Sequence, residues 1–164
     1  MHITSIEWGR VSIPLRVPFK TALRTVASVE DVILRVTTNT GITAFGEAPP
    51  TAVITGDTAE GIMGAVANHS APLLLGQDPE AIEPLSKKVQ KALIHNTSAK
   101  AMTDMALWDL YGKIQGRPVH RLLGHARSAL ETDITISVNP PEEMARDAAV
   151  AIARGFNCLK VKVG

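Results

Sequence analysis

An α+β domain followed by the start of a parallel βαβ unit is the fold class that the sequence predicts. Three observations carry it. Strand-like segments come first and helical patterns second over the residues up to about 120. Strand and helix then alternate from about residue 126 onward. The chain closes on Lys160-Val161-Lys162-Val163-Gly164, where side-chain alternation puts two lysines on one face and Leu159, Val161 and Val163 on the other.

Residues 2–15 read as a strand that ends near Pro14. Residues 17–26, containing Pro18, Lys20 and Arg24, read as a loop, and residues 29–37 as a second strand. Asn39-Thr40-Gly41 is a turn signal, and residues 42–47 return as a third strand, so the pair predicts a hairpin. Residues 46–57 read as a second loop, because Pro49 and Pro50 exclude regular structure. Asp57-Thr58-Ala59-Glu60 resembles a capping box, with Asp57 as the cap of a helix to about Leu74. A further helix fits residues 79–94. Another fits residues 97–115, with Ala101, Met105, Trp108 and Gly112 at helical spacing and with Gly116 and Pro118 to stop it.

A domain boundary is expected near His125. Residues 132–138 then read as a strand. Asn139-Pro140-Pro141-Glu142-Glu143 starts a helix, since proline is tolerated in the first turn. Met144, Ala148, Ala151 and Ile152 give this helix an apolar face, Gly155 ends it, and residues 158–163 are the next strand. Strand, helix and strand at this spacing predict a parallel pair with a right-handed crossover.

Composition excludes several functions. At 164 residues, 45% hydrophobic and 20% charged, the chain is an ordinary globular sequence able to bury a sizeable core. A net charge of +1 gives no electrostatic case for nucleic acid or an anionic membrane, and 4% aromatic residues argue against base stacking. Cys158 is the single cysteine, so no internal disulfide forms. Together with the absence of a signal pattern or a membrane-length apolar run, this makes a cytoplasmic protein the expectation.

The polar faces of the last two strands carry the chemistry. Asp133, Thr135 and Ser137 share one face of the first strand, opposite Ile134, Ile136 and Val138. Lys160 and Lys162 take the matching face of the second. In a parallel (β/α) barrel such faces line the interior, and active sites lie at the carboxyl ends of the strands. Like charges held close favour the neutral amine of one partner, the form that accepts a proton. The alternative is a solvated edge strand whose lysines guard against aggregation. Spacing alone leaves the two readings about even.

Residues 133–137 together with 155–164 resemble the muconate lactonizing enzyme branch of the enolase superfamily. Gly46-Glu47-Ala48-Pro49-Pro50-Thr51-Ala52-Val53-Ile54-Thr55-Gly56-Asp57 resembles the dipeptide epimerases of that branch, the L-Ala-D/L-Glu epimerases. Asn96-Thr97-Ser98-Ala99-Lys100-Ala101 and Met105-Ala106-Leu107-Trp108-Asp109 are similar to the same branch, and the resemblance runs over essentially the whole chain.

The resemblance implies an α+β capping domain, residues 1–125, followed by a modified TIM-type (β/α) barrel. Residues 126–164 supply only the first βαβ portion of that barrel, which is therefore incomplete. It implies an isomerase that removes and returns the α-proton of an Ala-Glu-like dipeptide through an enolate held on Mg²⁺. Lys162 would be the acid/base on one face of the α-carbon and Lys160 its partner. Arg24 would pair with the glutamyl carboxylate, Phe19 and Ile54 would form an apolar wall, and Thr135 would touch the peptide. Residues read in isolation allow blander roles: a solvated Arg24, Phe19 and Ile54 anchoring loops, a satisfied Thr135. Glu47 reads as a loop hydrogen-bonding residue rather than a metal ligand.

The family's three metal carboxylates and its opposite-face lysine come from later barrel strands, so the Mg²⁺ ligands are expected beyond residue 164 and none within the chain. The isolated chain is accordingly expected to be inactive, as a truncated part of the enzyme. Its small-molecule partner would be the dipeptide, with neither nucleic acid nor membrane. A homo-oligomer or a complementary C-terminal segment would cover its open strands. Muconate cycloisomerase, o-succinylbenzoate synthase and N-acylamino acid racemase share the Lys-x-Lys strand and remain alternatives, as does a non-catalytic fragment.

Overall fold

A computed structural model describes residues 1–124, 127 and 129–163. The boundary expected near His125 falls on residues outside the described ones, as does Gly164. Contacts divide the chain into two units: Met1–Ser12 with Glu30–His125, and Ile13–Val29 with Ala126–Gly164.

Strand β1 (Ile3–Lys20) and strand β2 (Thr25–Thr38) are much longer than expected, and only residues 21–24 form the turn between them. Most of the expected 17–26 loop is therefore strand. The sheet order β1-β2-β3, with β3 at Thr43–Ala48, explains why Pro14 and Pro18 do not stop β1. An edge strand has one open side, where a missing N–H costs no ladder bond. Residues four apart present their backbone nitrogens to the same side of a strand.

β2 and β3 pair antiparallel, from Val32 opposite Ala48 to Thr37 opposite Thr43, around a turn in which Gly41 has a φ of +82°. Alternation then sorts the side chains. Val32, Leu34, Val36, Ala44 and Ala48 are buried on one face, while Arg35, Phe45 and Glu47 are exposed. Glu47 is thus a strand residue opposite Ile33, not a loop residue.

Helix α1 (Ala59–Ala65), a π-helical turn (Val66–Ser70) and α2 (Ala71–Leu74) make one helical run. Pro72 accounts for the widened turn, since its ring and missing N–H conflict with a regular helix one turn back. The cap of α1 is Thr58, whose Oγ1 accepts the Gly61 N–H at 3.1 Å. Asp57, expected as the cap, instead accepts the Ser98 hydroxyl at 2.5 Å, and Glu60 pairs with Arg10.

Helix α3 (Ile82–Ala92) buries Ile82, Leu85 and Val89. Helix α4 (Thr97–Ile114) packs on both β3 and α3. Its buried residues are Ala99, Met102, Thr103, Ala106, Leu107, Leu110 and Gly112. Ala101 and Met105 are exposed, so the helix is rotated from the arc suggested by sequence spacing. A short α5 (Val119–Leu122) follows. Sheet and helices enclose one core running from Ile3 through Leu34 and Ile62 to Leu107 and Leu110.

The other unit is thinner. Strand β4 (Ile134–Ile136), helix α6 (Pro141–Ala153) and strand β5 (Leu159–Val161) form the expected parallel βαβ unit. Pro141 opens α6, and Glu142 and Glu143 complement the positive end of its dipole. Among the described residues Ile136 and Ala151 are its buried hydrophobics, whereas Ile152, expected on the apolar face, is 61% exposed. Two parallel strands do not close a barrel. No helix among the described residues is long and apolar enough to cross a membrane.

Candidate active site

β4 and β5 lie in parallel register, Ile134 opposite Leu159, Thr135 opposite Lys160 and Ile136 opposite Val161. Register partners on neighbouring strands share a face, so Thr135 stands beside Lys160. The Lys162 N–H donates to the Ile136 carbonyl at 3.1 Å, which carries the pairing one step beyond β5. Lys160 is exposed and Lys162 half-buried. The buried side chain of Ile136 marks the opposite face, on the side where α6 packs against β4.

The β1–β2 tip docks on the carboxyl end of β4. Lys20 makes the junction through its main chain and its side chain. Its N–H donates to Ser137 Oγ at 3.3 Å, its carbonyl accepts the Val138 N–H at 3.3 Å, and its Nζ donates to Asn139 Oδ1 at 2.8 Å. The next residue organises the turn. Thr21 Oγ1 accepts the N–H groups of Leu23 and Arg24 at 3.3 and 3.2 Å, and the Thr21 N–H donates to the Arg24 carbonyl at 2.9 Å. Arg24 is half-buried on this built turn.

Phe19, one residue before the junction, lines a groove of about 320 Å³ with Ile134, Thr135, Val150 and Ala151 among its walls. Phe19, Arg24, Thr135, Lys160 and Lys162 accordingly all lie in one unit. Ile54 belongs to the other, on a turn where the Thr51 carbonyl accepts both the Ile54 and Thr55 N–H groups at 2.9 Å, and it is 63% exposed.

Mg²⁺ takes oxygen ligands, carboxylates among them, and among the described residues no group of three or more His, Cys, Asp or Glu side chains could hold a metal ion. Asp57 is engaged by Ser98, and Glu47 lies on the exposed side of β3.

Residues 4–124 match the model of the mandelate racemase / muconate lactonizing enzyme N-terminal domain. The chain belongs to this family. The capping domain of the family is thus the sheet and helices described above, and the βαβ unit is a portion of an incomplete barrel. All 164 residues align at 49% identity with an L-Ala-D/L-Glu epimerase of Clostridium acetobutylicum, covering 46% of that protein. A substrate-liganded L-Ala-D/L-Glu epimerase of Bacillus subtilis superposes with a TM-score of 0.95 at 47% identity, over 99% of this chain and 45% of that one. A dipeptide epimerase of Enterococcus faecalis, complexed with Mg and L-Leu-L-Tyr, superposes at 0.93 with 32% identity, over 100% of this chain and 46% of that one. The chain spans about half the length of the relatives it matches.

The sequence motifs include Ser137 with Lys160 and Lys162, but they do not join it or Asn139 to Lys20, 117 and 119 residues away. No periodicity links such positions. The one local signal was a lysine flanked by Phe19 and Thr21 in a segment already rich in candidates.

Proposed function

We propose that this chain supplies the capping domain and the first catalytic strands of a Mg²⁺-dependent epimerase acting on Ala-Glu-like dipeptides. The capping domain would comprise residues 1–125 and the barrel portion would begin at 126. One observation supports this most directly. The Thr135, Lys160 and Lys162 face reaches the carboxyl ends of two parallel strands, and the Arg24 turn is docked at the end of β4. Carboxyl ends are where (β/α) barrels hold their substrates.

In this proposal Lys162 Nζ takes the α-proton of the second residue from one face. A general base accepts a proton through a free lone pair, so in this role Lys162 acts as the amine. Lys160 would face the charge that builds on the substrate carboxylate as the proton leaves, and an ammonium there would stabilise it. Return of a proton to the opposite face inverts the centre and needs a second acid, which we place outside residues 1–164 together with the Mg²⁺ carboxylates. The Arg24 guanidinium would take the glutamyl side-chain carboxylate as a fork. Thr135 would hydrogen-bond the peptide, with Phe19 and Ile54 as apolar contacts. A cytoplasmic, self-associating enzyme fits the lone Cys158 and the open strands.

The test is α-proton exchange by NMR, with L-Ala-L-Glu and Mg²⁺ in D₂O. It uses protein carrying the coding sequence that follows residue 164, with the 164-residue chain as the control. Exchange is expected in the longer protein alone. Turnover by the 164-residue chain would contradict the division of the site. Arg24→Met should lower kcat/KM for Ala-Glu about 100-fold, as loss of a buried charge partner does. It should lower kcat/KM for Ala-Leu far less. Equal losses on both substrates would remove Arg24 from the carboxylate site.

A further inference from the structure

The junction made by Lys20 is more than a sheet contact. Its amide and carbonyl already bond to Ser137 and the Val138 N–H. Its ammonium then reaches Asn139 Oδ1 at 2.8 Å in a half-buried setting. Ordering a four-carbon stem costs rotamer entropy, and a bond from a charged donor is strong enough to offset it. Asn139 lies just ahead of α6, whose first residue is Pro141, so its backbone is held by Pro140 and Pro141. The other end of the junction leads straight into the Thr21 turn. There one hydroxyl fixes the Leu23 and Arg24 amides.

We propose that Lys20 is a positioning residue that latches the β1–β2 tip, and through Thr21 the Arg24 guanidinium, onto the carboxyl end of β4. Among the described residues the main core holds none of 13–29 or 127–163, so loss of the latch leaves that core in place. Its consequence for substrate rests on the epimerase proposal; the latch itself does not.

Two measurements on the longer protein separate the two. In Lys20→Met the amides of Thr21, Leu23 and Arg24 should exchange with solvent about tenfold faster, the effect of losing one charge-assisted bond. Asn139→Ala should match it, and the double variant should add nothing. In the same variants KM for Ala-Glu should rise about tenfold with kcat held within about twofold, while KM for Ala-Leu stays near the wild-type value. Lys20→Arg, which keeps the charge and the reach, should recover part of the loss. Unchanged exchange in Lys20→Met would overturn the latch. Faster exchange with an unchanged KM for Ala-Glu would overturn the positioning of Arg24. If wild-type protein turns over neither dipeptide, the epimerase proposal fails, and exchange alone decides whether the latch exists.

Discussion

Two glycines show how differently one residue type is used within the same unit. Gly46 sits in β3 where the strand meets α4, and a Cβ there would strike the Met102 carbonyl and lie 3.1 Å from the Ala106 nitrogen. Both neighbours are helix backbone, which cannot swing aside as a flexible side chain can. Gly46→Ala should therefore destabilise the chain by about 2–3 kcal/mol, in the range of forced overpacking. Gly64 lies in α1 with nothing within 4 Å of its added Cβ. Gly64→Ala should stabilise by about 0.5–1 kcal/mol, the helix-propensity gain. Urea unfolding of both variants checks the pair, and shifts of the same sign would refute the packing account. The sequence places Gly46 at the start of a proline-rich segment, which made it look like loop. Nothing local says that a helix more than fifty residues later presses on it. The cap of α1 was misread for a related reason. Asp57 and Thr58 are both capable caps, and the choice fell to Thr58 because Asp57 is held by Ser98 from a distant helix.

At the scale of elements, the edge of β3 is where chain order and packing meet. The Phe45 N–H on that edge donates to Asp109 Oδ2 at 2.9 Å, and Lys113 bridges the same carboxylate at 2.7 Å and the Thr43 carbonyl at 2.9 Å. Helix α4 thereby covers a strand edge that would otherwise invite pairing with another chain. Asp109→Ala should cost about 1–2 kcal/mol, as an amide and an ammonium lose their acceptor. It should also speed hydrogen exchange at Phe45 specifically. An unmoved Phe45 rate would mean that Asp109 is not the acceptor in solution. The existence of α4 was plain from its periodicity and its Gly116 and Pro118 stop. Its buried arc was not, because a helix packed on both a strand and a second helix buries more of its circumference than one apolar stripe. Prolines misled in β1 for the opposite reason. Their cost depends on whether a strand is at an edge, and edge position is a property of the sheet.

At the scale of the molecule, the hydrophobic core and the candidate chemistry occupy different units. The core cluster from Ile3 to Leu110 lies in Met1–Ser12 with Glu30–His125. The unit that carries Arg24, Thr135, Lys160 and Lys162 has Ile136 and Ala151 as its buried hydrophobics among the described residues. Its strands β4 and β5 span three residues each, and Val161 and Val163 are 52% and 83% exposed. The alternation of Ile134, Thr135 and Ile136 and the Lys-x-Lys spacing made this unit legible in the sequence, since a two-residue period is local. Its shortage of core was less so, because how much an apolar residue is buried depends on what covers it. Local stability follows buried apolar area. In the 164-residue chain, amides of β3, α4 and the Glu30–Thr38 part of β2 should therefore exchange only by global unfolding. Those of β4, α6 and β5 should exchange by local opening, at rates at least about 100-fold faster, a gap of about 3 kcal/mol. Amide exchange read by NMR at several low urea concentrations distinguishes the regimes, because only global opening carries the full denaturant dependence. Equal protection across both sets would show that the βαβ unit folds cooperatively with the core despite its exposure. The expected gap should shrink in the longer protein if following segments cover Val161, Val163 and the groove beside Phe19.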